Sequence, residues 1–299
     1  MRSRCCAAPG RSSPSICGAL SWFWYRTGQI GEGLRWTSRC LAAVRGGRSA
    51  ELWRAKSRAL FGVGGLNYLI GRHAEAVAAM RESRRFAREA GDAEALTTST
   101  TYLAYFLGLA GDLGAGLPLA DEAVRLAASR PVPWARAESL MVRGHLSRAS
   151  GDPRRARAEL DEACRLARES GHAWAEISSG WIAGKVSVDL GEPERAMEQL
   201  LDVVRLADPR HDLTSLLVVL HTLAGAMARA GRADGTAAVL GLVEAWGEPI
   251  GYFPERMDPV DSPTNTAVVR AALPPERFEA QRARGRELTR DGLMRLLEA

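Results

Sequence analysis

A turn with the sequence Gly151-Asp152-Pro153-Arg154-Arg155-Ala156 returns along this chain at a fixed interval. Its glycine belongs to a set spaced forty residues apart, namely Gly31, Gly71, Gly111, Gly151, Gly191 and Gly231. A constant period of this size is the signature of a stacked array in which every repeat has the same supersecondary structure. The period therefore predicts six copies of one unit, which together occupy most of the 299 residues.

The residues around each glycine predict a pair of helices. Seven positions before the glycine the chain has a small residue, at Gly64, Ala104, Gly144, Gly184 and Ala224. Nine positions after it stand Cys40, Met80, Ala120, Leu160, Leu200 and Leu240. Such offsets share one helix face. Each unit is thus predicted to be a helix A, a tight turn and a helix B, with small residues where the two helices cross. Strand signals are nearly absent, which indicates an all-α protein.

This pattern resembles the tetratricopeptide repeat, in which a small residue, a turn glycine and an alanine follow one another at these offsets. The usual period of that family is about 34 residues, so the longer period here predicts helices extended by about one turn. The resemblance covers roughly residues 20 to 246. It implies a right-handed, tetratricopeptide-like helical solenoid of about six helix pairs, followed by a small C-terminal helical cap.

Composition divides the chain into three predicted segments. Residues 1–17 are predicted to be a disordered leader, residues 18–246 the repeat domain, and residues 247–299 a Pro-rich linker with the helical cap. In the first repeat, Trp22, Trp24 and Trp36 are predicted to form an exposed aromatic face that permits self-association. End repeats usually carry a polar cap, so this face also suggests that the chain was cut from something longer.

The charge balance gives no support to nucleic-acid binding. The formal net charge is +5, but the 40 basic residues are matched by 35 acidic ones spread through the same helices. We therefore expect no direct contact with nucleic acid. The apolar run from Ile16 to Tyr25 is too short to span a bilayer, so no membrane contact is expected. The five cysteines show no paired framework, which is typical of a reducing cytoplasm.

Segments near both ends resemble the tail of a group of actinobacterial transcriptional regulators. The similar segments are Trp22 to Tyr25 with Gly31 to Trp36, Leu240 to Ala245, Ala271 to Leu273 with Phe278, and Gly285 to Thr289. In those regulators the repeat tail follows a STAND-type ATPase, and a DNA-binding domain of LuxR or winged-helix type lies at one end. The resemblance implies a sensing or partner-binding tail without those domains. Gln281-Arg282 departs from the aromatic residue that such tails often carry.

Motifs for chemistry are not found in the sequence. The nearest approach to a phosphate-binding loop, Ser179 to Val186, lacks the first glycine and the final hydroxyl and lies in a predicted helix. The five histidines have no metal-ligand spacing, and there is no nucleophile elbow. We therefore expect no enzyme activity, no catalytic residues, no cofactor and no metal site.

The predicted site is the concave groove of the solenoid, which helices A line in this fold. The positions predicted to face it are Phe61, Tyr105, Met141, His145, Arg148, Trp181, Lys185 and His221. Aromatic rings among cations would suit an acidic or amphipathic peptide or protein partner. The alternative is that the apolar members are ordinary inter-repeat core and the polar members a solvated face. The function is then either the tail of a regulator or a free-standing adaptor that holds a peptide.

Overall fold

The computed structural model describes residues 13–44, 48–129, 132–210 and 212–298. Its α-helices are α1 (Ser13–Thr27), α2 (Ile30–Ala43), α3 (Ala50–Leu69), α4 (His73–Glu89), α5 (Ala93–Leu109), α6 (Leu113–Ala128), α7 (Pro133–Ala149), α8 (Pro153–Glu169), α9 (Ala173–Asp189), α10 (Pro193–Ala207), α11 (Leu213–Arg229), α12 (Thr236–Gly247), α13 (Pro254–Met257), α14 (Asp261–Ala271), α15 (Pro275–Gly285) and α16 (Arg290–Glu298). These ranges contain no β-strand. Within them, no helix combines the length and the apolar character that crossing a membrane requires.

Helices α1 to α12 form six antiparallel pairs, which confirms the predicted repeat fold. The odd-numbered helices are the predicted helices A and the even-numbered ones the helices B. Gly71, Gly111, Gly151, Gly191 and Gly231 lie between the helices of a pair and have positive φ, between 73° and 86°. Glycine tolerates this left-handed conformation. Asp152 caps α8, because its Oδ1 accepts a hydrogen bond from the Arg155 amide at 3.0 Å.

The first turn is an exception to the period. Gly31 was predicted to make it, but Gly31 lies inside α2, and the residue with positive φ is Gly28, at 73°. The spacing alone could not separate a turn glycine from a helical one three residues away. The predicted leader ended at residue 17, whereas α1 begins at Ser13; residues 1–12 lie outside the described residues.

Small residues allow the two helices of a pair to touch, as their spacing predicted. A Cβ added to Gly144 would stand 2.8 Å from Leu160 Cγ, and one added to Gly184 would stand 2.7 Å from Leu200 Cγ. Both distances are shorter than van der Waals contact. The larger apolar residue of helix B therefore lies directly against the glycine of helix A, and a side chain at that glycine would separate the pair.

The solenoid closes on itself, because α1 contacts α11 as well as α2 and α3. The Thr214 hydroxyl donates a hydrogen bond to the Tyr25 carbonyl at 3.1 Å. Because the array closes, two of the three tryptophans predicted to be exposed lie inside it. Trp24 is buried, and the centroid of the Trp22 ring lies 5.3 Å from that of Trp174. Trp36 alone of the three is exposed. The expected aromatic face of the first repeat is therefore not present as one surface.

After α12 the chain turns back into the solenoid. Residues 252–266, which we name the tail segment, contain α13 and the first half of α14. α14 begins at Asp261, within the segment predicted to be a Pro-rich linker with a helical cap, and packs against α11. The cap is then formed by α15, which packs on α12, and by α16 with Leu293 fully buried. The tail segment, part of the predicted Pro-rich linker, packs on the closed array with Tyr252, Met257 and Asp258 buried and with Glu255, Pro259 and Val260 exposed.

Candidate functional site

The predicted groove residues all lie on helices A and face the interior of the closed solenoid. Phe61 is on α3, Tyr105 on α5, Met141, His145 and Arg148 on α7, Trp181 and Lys185 on α9, and His221 on α11. Most are buried, and Lys185 has only 3% of its surface exposed. The interior is therefore not a solvated face, and its polar side chains need partners inside the protein.

The apolar members line a space in the interior, which we name the inner cavity. Phe61, Tyr105, Met141 and Trp181 border this cavity of about 70 Å³. Trp22, Tyr25, Tyr102 and Trp174 line the remaining wall. Ring contacts hold the lining, with Phe61 5.1 Å from Tyr102 and Tyr102 5.7 Å from Trp174 between ring centroids. The aromatic part of the predicted groove therefore borders a small cavity to which α1 also contributes Trp22 and Tyr25.

The cationic members hold the tail segment by two aspartates. The Lys185 ammonium forms ion pairs with Asp258 and, at 2.8 Å, with Asp261. Arg148 binds Asp261 through both terminal nitrogens, at 2.7 and 2.9 Å, and its Nε also contacts Asp189 at 2.6 Å. Bidentate pairing between guanidinium and carboxylate is both strong and geometrically specific. An acidic segment of the chain itself occupies the position predicted for an acidic peptide.

Further contacts fix the path of the tail segment. His221 Nε2 lies 3.2 Å from the Thr266 hydroxyl, and His73 Nε2 lies 3.0 Å from the Arg256 carbonyl. Arg229 donates to the Asn265 side chain at 2.9 Å. Tyr252 is buried with 1% of its surface exposed. The segment therefore bridges the turn that follows α3, which is early in the array, and α11 at its end.

Burial and the ion network set the protonation of the site. Burial lowers the pKa of His145 to about 3, and the charges of Lys185 and Arg148 add to this effect. Burial likewise lowers the pKa of His221 to about 4. Both imidazoles are therefore neutral at pH 7. For Asp258 and Asp261 burial alone would raise the pKa, but the neighbouring Lys185 outweighs it, so both carboxyls have lowered pKa values and are ionised.

Sequence reasoning missed the residues that occupy the groove. Asp258 and Asp261 stand 73 and 113 positions from the cations that bind them, Lys185 and Arg148 respectively. The one available signal was a pair of acidic residues flanking Pro259 in a segment that otherwise reads as linker. That pattern does not indicate a partner. Across the described parts of the chain, no group of three or more His, Cys, Asp or Glu residues could hold a metal ion.

Comparisons with known proteins agree on the architecture. The family model of anaphase-promoting complex subunit 5 matches residues 54–109, 137–175 and 183–229, which is less than half of the chain. No curated protein sequence matches it. The matched stretches all lie in helix pairs of the repeat array.

Several solved structures superpose on most of the chain. A Rap protein complexed with Competence and Sporulation Factor is 13% identical, with 91% of this chain and 76% of that one covered and a TM-score of 0.60. The Rap conjugation gene regulator of plasmid pLS20, in complex with the Phr* peptide, is 12% identical over 92% and 74%, with a TM-score of 0.57. Aspartyl phosphate phosphatase F from Bacillus subtilis is 12% identical over 93% and 72%, with a TM-score of 0.57. Identities this low compare the fold alone, and that fold is a tetratricopeptide-type helical repeat.

Proposed function

We propose that this chain acts by binding, without catalysis, and that its groove takes an acidic, amphipathic peptide or protein segment in place of the tail segment. The observation that carries the proposal is the pairing of Arg148 and Lys185 with Asp258 and Asp261. A partner with two carboxylates spaced as Asp258 and Asp261 are, and with an apolar residue nearby, could form the same ion pairs with Arg148 and Lys185. Such a partner has to compete with a ligand that is already tethered at high effective concentration.

The comparisons support a peptide as the partner. Of the similar structures, one Rap protein is complexed with Competence and Sporulation Factor and another with the Phr* peptide. The second of these is a conjugation gene regulator. Because tetratricopeptide-type arrays present extended concave surfaces, a role in peptide sensing fits the fold of this chain.

Within this function we propose that the chain is the sensing tail of a transcriptional regulator and acts in the cytoplasm. The support is the resemblance of its end segments to such tails. A free-standing adaptor would use the same groove, and the ion pairs of Arg148 and Lys185 favour it equally. In-frame coding sequence for a phosphate-binding loop upstream would support the regulator.

The test uses the tail segment as its own probe. A fluorescein-labelled peptide of residues 252–266 is titrated into the full chain, and binding is followed by fluorescence anisotropy. The double variant Asp258→Asn/Asp261→Asn weakens the resident segment, so we expect it to bind the peptide at least tenfold more tightly than the parent. Glu255→Gln is the matched control, because Glu255 is an exposed acidic residue of the same segment. It should leave the affinity unchanged.

A second variant separates competition from misfolding. Adding Lys185→Met to the double variant removes the main cation, and binding should fall back by tenfold or more. Hydrogen exchange of residues 252–266 reports whether the resident segment has been released, and circular dichroism reports whether the helices remain. The proposal is wrong if the segment is released, the helices are intact, and the peptide still does not bind.

A further inference from the structure

A second and larger cavity opens at the other end of the interior, and we name it the outer cavity. It has a volume of about 380 Å³, within the range of small-molecule sites. Its walls come from α1, α3 and the first turns of α5 and α7, with His172 just before α9. By contrast, the residues that bind the tail segment, Arg148 and Lys185, lie near the C-terminal ends of α7 and α9. The two sites are therefore at opposite ends of parallel helices.

Aromatic rings form one side of the outer cavity. Trp22, Phe61 and Trp134 line it. Trp22 and Phe61 also line the inner cavity, so these two rings separate the two spaces. Each ring is held by a neighbour: Trp134 stands 5.7 Å from the His172 ring, and Trp22 stands 5.3 Å from Trp174. The wall thus presents fixed π-faces and apolar edges to whatever enters.

A buried carboxylate lies at the same cavity. Glu138 has 3% of its surface exposed, and its Oε1 pairs with His172 Nε2 at 2.8 Å. The pKa of the neighbouring Tyr102 phenol is raised, mainly by burial and next by the negative charge of Glu138. A buried carboxylate is unfavourable without hydrogen bonds or a counter-charge. One imidazole is a modest partner for such a group.

The charges around the opening are also negative on balance. Glu94 is an exposed lining residue on α5. Among the described residues that line the cavity, the one arginine or lysine is Arg58, whose side chain is 65% exposed and already lies 3.9 Å from Asp92. Two carboxylates therefore face a single guanidinium that has its own acidic neighbour. Among the described lining residues, this end of the interior therefore carries more carboxylates than guanidinium groups.

We propose that the outer cavity binds an organic cation, an ammonium group carried on an apolar body. The ammonium would approach Glu138 and form a charge-assisted hydrogen bond. The apolar body would pack against Trp22, Phe61 and Trp134. The faces of the same rings would also attract the ammonium group of the ligand. An anionic ligand is disfavoured by Glu138 and Glu94. The proposal does not rest on the proposed peptide function. Of the eight predicted groove residues, Phe61 lines the outer cavity and the other seven do not.

The test compares ligands that differ only in charge. Isothermal titration calorimetry measures binding of 2-phenylethylammonium, neutral 2-phenylethanol and 3-phenylpropanoate to the full chain, and quenching of tryptophan fluorescence provides a second readout. We expect the ammonium to bind at least tenfold more tightly than either analogue. Equal affinity for the three probes, or no binding of the ammonium at about 10 mM, overturns the proposal.

Variants assign the binding to Glu138. Glu138→Gln keeps the shape and removes the charge, and should weaken ammonium binding tenfold or more. Glu159→Gln is the matched control, because Glu159 is a similarly buried carboxylate, with 7% exposed, on α8, which contributes no residue to the lining of the outer cavity. It should bind as the parent does. If Glu138→Gln is folded by circular dichroism and binds like the parent, the site is not at Glu138.

Two sources of the cation are separated by the same assay. A free amine is represented by 2-phenylethylammonium, and a lysine of a protein by acetyl-Phe-Lys-amide with its ε-acetylated form as the neutral control. Binding of the free amine alone indicates a small-molecule site. Tighter binding of the lysine peptide than of its acetylated form indicates recognition of a basic segment. Either result supports an organic-cation site, and loss of discrimination between charged and neutral forms contradicts it.

Discussion

Replacing Lys185 with methionine tests the ion network that holds the tail segment. The change keeps the length and the apolar stem of the side chain and removes the ammonium. In the parent that ammonium pairs with Asp258 and Asp261 and lies 4.0 Å from the centre of the Trp181 ring. Asp261 keeps its two bonds from Arg148, so Asp258 is the group left with a buried charge and no cation.

The size of the effect follows from that geometry. Removing one partner of a buried ion pair destabilises a protein by ~3–5 kcal/mol, because the other charge stays buried. Loss of the cation–π contact adds about 1 kcal/mol, and the apolar methionine offsets part of this. We expect Lys185→Met to lower the free energy of unfolding by ~3–5 kcal/mol at pH 7. This is a large fraction of the ~5–15 kcal/mol typical of a whole domain.

The effect should depend on pH in a defined direction. In the parent, Lys185 holds the pKa of Asp258 below its usual value against the opposing effect of burial. Its contribution to stability is therefore present above the unfolded pKa, near 4, and is lost as the pH falls through the folded pKa. In Lys185→Met the cation is gone, so burial and the charge of Asp261 raise the pKa of Asp258 against the hydrogen bond from the Asp261 amide. The carboxyl then takes up a proton at a higher pH than in the parent, so the deficit of the variant should shrink as the pH is lowered.

Urea unfolding followed by circular dichroism at pH 7 and pH 5 gives the free energies. The cycle with Asp258→Asn isolates the pair, and the double variant Lys185→Met/Asp258→Asn should recover at least half of the loss. Hydrogen exchange of residues 252–266 distinguishes local release of the tail segment from global unfolding. The reasoning would be refuted by two results together. The losses of the two single variants would add up to that of the double variant within about 0.5 kcal/mol, and the loss in Lys185→Met would be the same at pH 7 and pH 5.

Three other predictions concern the repeat array and its thiols. Gly144→Ala forces a Cβ against Leu160 Cγ, 2.8 Å away, and should destabilise by ~1–3 kcal/mol in urea titrations; Gly114→Ala, on an open helix face, should be neutral or stabilising. Asp152→Ala removes the N-cap of α8 and should lower the melting temperature through a loss of ~1 kcal/mol; an unchanged value would count against the cap. Burial raises the pKa of Cys17 to about 12, so its alkylation at pH 8, read by peptide mass spectrometry, should be slow in the native protein and fast in urea.

Much of the fold could be predicted from the sequence, because its signals are local. A glycine with positive φ, an aspartate cap and a small residue opposite a leucine each act within one helix pair, and the forty-residue period repeats them. The predicted helix pairs are therefore confirmed. The first turn was misplaced, since the forty-residue spacing selects Gly31 whereas the backbone has its positive φ at Gly28.

The candidate site could be predicted only in part. The spacing on helices A indicated which side chains face inward, including Tyr105, Lys185 and His221. It did not indicate what they contact, because that depends on how far each pair rotates against the next. Summed over six pairs, this rotation brings α1 against α11 and turns Trp22 into the interior.

The sequence by itself determined the helix pairs, their turns and the inward face of the array, because neighbouring residues decide all three. The tertiary structure alone decided that the array closes and that Asp258 and Asp261 meet Lys185 and Arg148 inside it. These charges are 73 to 113 residues apart. Nothing local relates them, and burial makes them pair, since a charge removed from water requires a counter-charge.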